Sequence, residues 1–117
     1  MRKLAAALLA GLPLVVLGAA GNLTGKWEVD ASFDDSASSG GGFDCAFTQE
    51  GERLTGNCSE AAVTGEVKGQ NVSWRMMKGG SPSETITFAG TVDEAWTSMK
   101  GRFTMADKGG HFTAVKQ

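Results

Sequence analysis

Beyond residue 21, apolar and polar residues alternate along almost the whole chain, the period-two pattern of strands with one face in a core. Eight segments carry it. In the first, Gly25, Trp27, Val29, Ala31 and Phe33 face one way, and Lys26, Glu28, Asp30 and Ser32 the other. The second turns Phe43, Cys45 and Phe47 inward, and the third Leu54, Gly56 and Cys58. Val63, Gly65 and Val67 mark the fourth, and Val72, Trp74 and Met76 the fifth. The sixth carries Ile86, Phe88, Gly90 and Val92, and the seventh Met99, Gly101, Phe103 and Met105. In the last, Phe112 and Ala114 are read as inward, with His111, Thr113 and Val115 as the competing face. No segment holds a 3.6-residue apolar stripe, so no helix of any length is expected.

Five inward glycines are each followed two residues later by an apolar residue or cysteine: Gly25–Trp27, Gly56–Cys58, Gly65–Val67, Gly90–Val92 and Gly101–Phe103. Glycine weakens a strand, so its repeated use on the inner face predicts sharply coiled strands packed closely together. A small closed barrel has that need. Short connections at Glu50–Arg53 around Gly51, at Gly69-Gln70 and at Asp93-Glu94-Ala95 join sequence neighbours as hairpins. Hairpins in series make a meander. The predicted fold is all-β, an eight-stranded antiparallel up-and-down barrel, whose closure removes the two edges of a flat sheet. A two-sheet sandwich of the same strands is the competing architecture.

The cysteines test this register. If Gly51-Glu52 is the tip of a two-residue hairpin, Cys45 and Cys58 lie equally far on either side of it and face one another on the inner face. In an exported protein, cysteines so placed read as a disulfide. Free thiols or a metal site are the alternatives, and two ligands without a nearby histidine make a poor zinc site.

A meander sends successive loops to opposite ends. One end is trimmed by the three short connections; the other carries Asp34–Gly42, Lys78–Glu84 and Ala106–Gly110, the kind of loops at which barrels bind. Trp27, Trp74 and Trp96 fall toward the trimmed end and read as a plug for the base, with a tryptophan binding cage as the alternative. Toward the mouth the inward residues are Phe33, Phe43, Met76, Ile86, Met105 and Phe112, the rim a small apolar ligand meets first. An eight-stranded interior is equally able to be filled by its own side chains.

Residues 1–21 have the plan of a signal peptide: Arg2 and Lys3, an apolar run from Leu4 to Leu17, and the small residues Gly18-Ala19-Ala20-Gly21. The run is shorter than a membrane span needs and Pro13 interrupts it. Cleavage is expected after Ala20 or Gly21, leaving residues 22–117 as a single domain, secreted or periplasmic, with no membrane span. The chain holds 11 basic and 13 acidic residues, and losing Arg2 and Lys3 widens the acidic excess. That balance, without a basic cluster, argues against nucleic acid as a partner. Ser36 to Gly42 reads as a flexible loop.

Catalytic chemistry is not in view. His111, the chain's single histidine, has no evident acidic or nucleophilic partner, and no nucleophile motif surrounds the serines and threonines. No inward position holds a charged residue, so no buried acid–base pair is expected. Asp30, Asp34, Asp35 and Asp44 gather near the Gly-rich loop, but their spacing does not match an EF-hand, and they read as a solvated acidic rim. No cofactor and no metal are expected. Asn22, Asn57 and Asn71 begin glycan acceptor triplets, which matter only in a eukaryotic secretory pathway.

Leu23-Thr24-Gly25-Lys26-Trp27 resembles the opening strand of avidins and of the wider lipocalin-like barrels, where a Gly-x-Trp closes the base. Val72-Ser73-Trp74-Arg75 and Phe112-Thr113-Ala114-Val115-Lys116 are similar to late avidin strands. This resemblance implies a calycin-type barrel. Avidins ring biotin with polar groups on the first, second and last strands. Here the matching first-strand positions are Val29 and Phe33, the chain has no tyrosine, and His111 stands near where the aspartate would be. The resemblance therefore carries the fold and not the biotin site. A second resemblance is to small periplasmic inhibitors of metalloproteases, also eight-stranded barrels with a Gly-x-Trp start and one disulfide, although here almost no N-terminal trunk precedes the barrel. The expected function is a non-enzymatic binding module for a small apolar ligand. The alternatives are a protein-interaction barrel, such as a protease inhibitor, and a structural envelope protein.

Overall fold

In the computed structural model, which describes residues 22–35, 40–77 and 85–117, eight strands form one closed antiparallel barrel. They are β1 (Gly25–Phe33), β2 (Gly41–Glu50), β3 (Arg53–Cys58), β4 (Ala61–Lys68), β5 (Asn71–Met77), β6 (Thr85–Val92), β7 (Ser98–Met105) and β8 (Lys108–Lys116). Each strand pairs with its sequence neighbours, and β1 pairs with β8 from Trp27↔Lys116 to Phe33↔Gly110, which seals the ring. A sandwich would leave that last ladder open. The expected leader, residues 1–21, lies outside the described residues, as do 36–39 and the connection 78–84.

The alternation governs burial as the pattern predicts. Trp27, Val29, Cys45, Phe47, Leu54, Cys58, Val63, Val67, Val72, Trp74, Phe88, Val92, Met99 and Phe103 are buried, and the polar residues between them face water. In β8 the inward face is Phe112 and Ala114, while His111, Thr113 and Val115 lie outside. Cys45 and Cys58 are directly opposite in the register, their Cα atoms 4.0 Å apart, and form a disulfide. Glu50 pairs with Arg53, so Gly51-Glu52 is a two-residue turn. Gly51 has φ +64°, the left-handed backbone that such hairpin turns require and glycine supplies without steric cost.

Several glycines of the inner wall lie opposite aromatic rings. Gly25 and Gly56 both lie opposite Phe47, Gly65 opposite Trp74, Gly101 opposite Phe112, and Gly110 opposite both Phe103 and Phe33. A narrow barrel has no room for two large side chains facing each other at every level, so small positions beside large ones let the rings fill the axis.

Three expectations need correction. The β6–β7 connection is not the short Asp93-Glu94-Ala95 hairpin but runs from Asp93 to Thr97, and Trp96 sits in that turn with φ +61° rather than on a strand. Asp93 organises it: Oδ1 accepts from the Thr97 and Ser98 N–H groups at 2.9 and 3.2 Å, and Oδ2 from their hydroxyls. The β7–β8 connection is not a long loop over Ala106–Gly110. It is a turn at Ala106-Asp107, because Met105 pairs with Lys108 and the ladder continues through Gly109 and Gly110. Gly41 and Gly42 belong to β2 rather than to the flexible loop, since both pair with β1.

Candidate functional site

The strand order sends turns 51–52, 69–70 and 93–97 to one end of the barrel, together with the chain's first described residues and its C-terminus. This base is closed. Leu23 is fully buried in the core, and its carbonyl accepts the Trp27 indole N–H at 2.8 Å. Gln49 holds the segment in place: its Oε1 accepts from Leu23 N at 2.9 Å, its Nε2 donates to Gly51 O, and its backbone N–H donates to Thr24 Oγ1. Neither residue was prominent in the sequence pattern. Gln49 continues the inward parity of Phe43, Cys45 and Phe47, and a polar residue in that position was the available signal. Trp96 is half-buried and packs against the core from its turn.

Trp74 does not sit with Trp27 in the base. It occupies the middle of the barrel, stacked on Phe88 with ring centres 4.6 Å apart and planes 8° from parallel. Phe47 and Phe112 meet its ring edge-on at 5.2 Å. Phe112 also meets Phe88 at 5.2 Å and is 1% exposed, so it is a core residue and not part of the mouth rim. Its pairing with Ala31 and Gly101, two small residues, draws the ring in over the axis.

At the opposite end, Phe33, Phe43, Met76, Ile86 and Met105 are apolar, inward-facing and only half-buried. Met76, Ile86 and Met105 form a continuous cross-strand row at the ends of β5, β6 and β7. The next row toward the base runs Trp74, Phe88, Phe103, Gly110 and Phe33. Its rings make successive contacts, Phe88 to Phe103 at 5.8 Å and Phe103 to Phe33 at 5.2 Å, an aromatic ramp rising from the barrel centre to the rim. Phe43 reaches in from β2 toward Phe88 at 6.2 Å. Lys108 lies 5.9 Å from the Phe33 ring centre, within cation–π reach. The described residues of the mouth thus form an apolar collar over a layer of aromatic rings.

Charged groups stay outside. No polar or charged residue is buried among the described residues. Arg102 on β7 pairs with Asp34 at the exit of β1, whose backbone N–H also donates to Gly109 O at 2.9 Å. Both side chains of the pair are exposed, so it adds little stability and serves to direct the chain as it leaves β1. No group of three or more His, Cys, Asp or Glu able to hold a metal ion forms among the described residues, and the acidic residues of β1 and β2 point outward. His111 is exposed on the outer wall, opposite Arg102 and Ser32.

No protein-family model matches this sequence, and no curated protein matches it.

Proposed function

We propose that this chain is an exported, non-enzymatic binding module, a lipocalin/avidin-like barrel that takes a small apolar ligand at its mouth. One observation carries the reading. Phe33, Phe43, Met76, Ile86 and Met105 face inward yet remain half-open to solvent at one end, whereas the core beneath them is sealed. Inward apolar side chains left partly wet gain free energy when a ligand covers them. The outer wall, with Lys26, Glu28, Asp30, Glu66, Arg75, Lys100 and Arg102, is the reverse of a membrane-spanning barrel and suits an aqueous compartment. Together with the leader, it supports a secreted or periplasmic location.

Native mass spectrometry of the mature chain, purified gently from its host's own secreted or periplasmic fraction, tests the reading. A retained small-molecule adduct supports it and gives the ligand's mass. A bare monomer carrying one disulfide counts against it and favours a second reading, in which the loops engage another protein. That second reading draws on the ring-filled centre of the barrel, where Trp74, Phe88 and Phe112 pack against one another.

A further inference from the structure

Trp74 is 1% exposed, and its indole nitrogen has no hydrogen-bond partner. Trp27 shows the contrast, since its indole N–H finds the Leu23 carbonyl. A buried donor left without an acceptor loses its hydration and gains nothing in return, so native proteins rarely keep one without a use. The rings packed around Trp74 are hydrocarbon and carry no oxygen or nitrogen acceptor.

The position of this donor gives it a meaning. Trp74 and Phe88 pair directly beneath Met76 and Ile86, two residues along each strand from the collar. The ramp of Phe88, Phe103 and Phe33 runs from the same level up to the rim. The layer of inward residues beneath the collar therefore holds one polar side-chain group, the Trp74 indole N–H, and that group only donates. No buried cation accompanies it among the described residues, so a carboxylate would enter without a counter-charge to offset its lost hydration.

Building on the proposed mouth site, we infer that its ligand is a neutral apolar molecule with a carbonyl-type oxygen at its leading end, which accepts the Trp74 indole N–H. The acceptor turns an indifferent greasy seat into one that discriminates between ligands of equal size. A donor that is already desolvated gains a hydrogen bond from an acceptor without a further desolvation cost of its own, whereas a hydrocarbon of equal shape gains none.

The test uses the mature chain, isotope-labelled, with acetophenone and ethylbenzene as probes of nearly equal shape. Methyl signals of Met76, Ile86 and Met105 report occupancy of the mouth, and the Trp74 indole proton reports the hydrogen bond. Both probes are expected to shift the methyls. Acetophenone alone moves the indole proton downfield, and it binds about five-fold tighter, the effect of one net hydrogen bond. Trp74→Phe keeps the ring and removes the donor, and the preference is expected to fall to about one. If that variant fails to fold, the indole proton of the unmodified chain still decides. Equal binding with an unmoved indole proton overturns the inference and leaves the mouth reading standing. So does a persistent water contact at that proton with acetophenone bound. Methyls unmoved by either probe overturn the mouth reading itself, and the inference with it.

Discussion

Gly90 and Gly101 face each other across β6 and β7, and neither position admits a side chain. A Cβ on Gly90 would come within 2.1 Å of the Lys100 carbonyl oxygen, and one on Gly101 within 2.1 Å of the Ala89 oxygen. The two strands are drawn together there so that the sheet can coil tightly enough to close. The neighbouring residues in the row, Val72 and Phe112, supply the side chains that fill the space above the glycines.

Gly101→Ala is therefore expected to destabilise the fold by about 3 kcal/mol, the upper part of the usual overpacking range, as measured by urea unfolding. Gly41→Ala is the control. Nothing lies within 4 Å of a Cβ there, and a change within about 0.5 kcal/mol is expected. Equal effects at the two sites would show that the β6–β7 approach is not tight.

The Cys45–Cys58 disulfide closes a short loop across adjacent strands. In the chain-entropy account, such a link contributes about 3 kcal/mol. For a domain of this size, reduction is expected to lower the melting temperature by on the order of 10–20 °C. An unchanged melting temperature after complete reduction would show that the hairpin holds its register without the link.

Trp27 has two separable roles, filling the base and donating to the Leu23 carbonyl. Trp27→Ala is expected to cost about 3–5 kcal/mol, as core aromatic truncations do. Trp27→Phe keeps much of the packing but strips the Leu23 carbonyl of its donor, and a smaller loss of about 1–3 kcal/mol is expected. Calorimetry of both variants checks the order. If the two losses are equal, the hydrogen bond rather than the ring closes the base.

Asp93 gives the β6–β7 turn a pH dependence. The Thr97 backbone N–H, then that of Ser98, hold its carboxyl below the ordinary value of 3.8, with smaller help from the two hydroxyls. The folded state thus favours the charged form. Its contribution is present above the unfolded carboxylate value and is lost as pH falls through the lower folded value. Amide signals of Thr97 and Ser98 should move together as pH falls, with a midpoint below 3.8. In Asp93→Ala this transition should vanish. A midpoint above 3.8 in the unmodified chain would contradict the hydrogen-bonded turn.

The strands and the facing of Cys45 with Cys58 were legible along the chain. Alternation reports which face is buried, and a two-residue hairpin sets the register of everything before and after it. The collar residues Phe33, Phe43, Met76, Ile86 and Met105 were legible for the same reason, as inward positions at strand ends. Phe112 was not separable from them. Its parity is the same, but its depth depends on pairing with Ala31 and Gly101 from both flanking strands. Trp96 was misplaced because a five-residue turn held by Asp93 side-chain bonds mimics, in sequence, a shorter hairpin running into a strand.

What the sequence determined by itself was local: eight alternating segments, their inner faces, their hairpin order and one cysteine pair. These follow from the period of the backbone and the chemistry of two-residue turns, which act over a few residues. Tertiary structure decided the rest. Pairing of β1 with β8 joins residues at opposite ends of the domain, so it enters only when all eight strands have coiled. That closure sets the depth of Phe112, completes the core in which Leu23 is buried, and leaves the Trp74 indole N–H buried without a partner. Each depends on which side chains share the barrel axis, and only the closed ring brings them together.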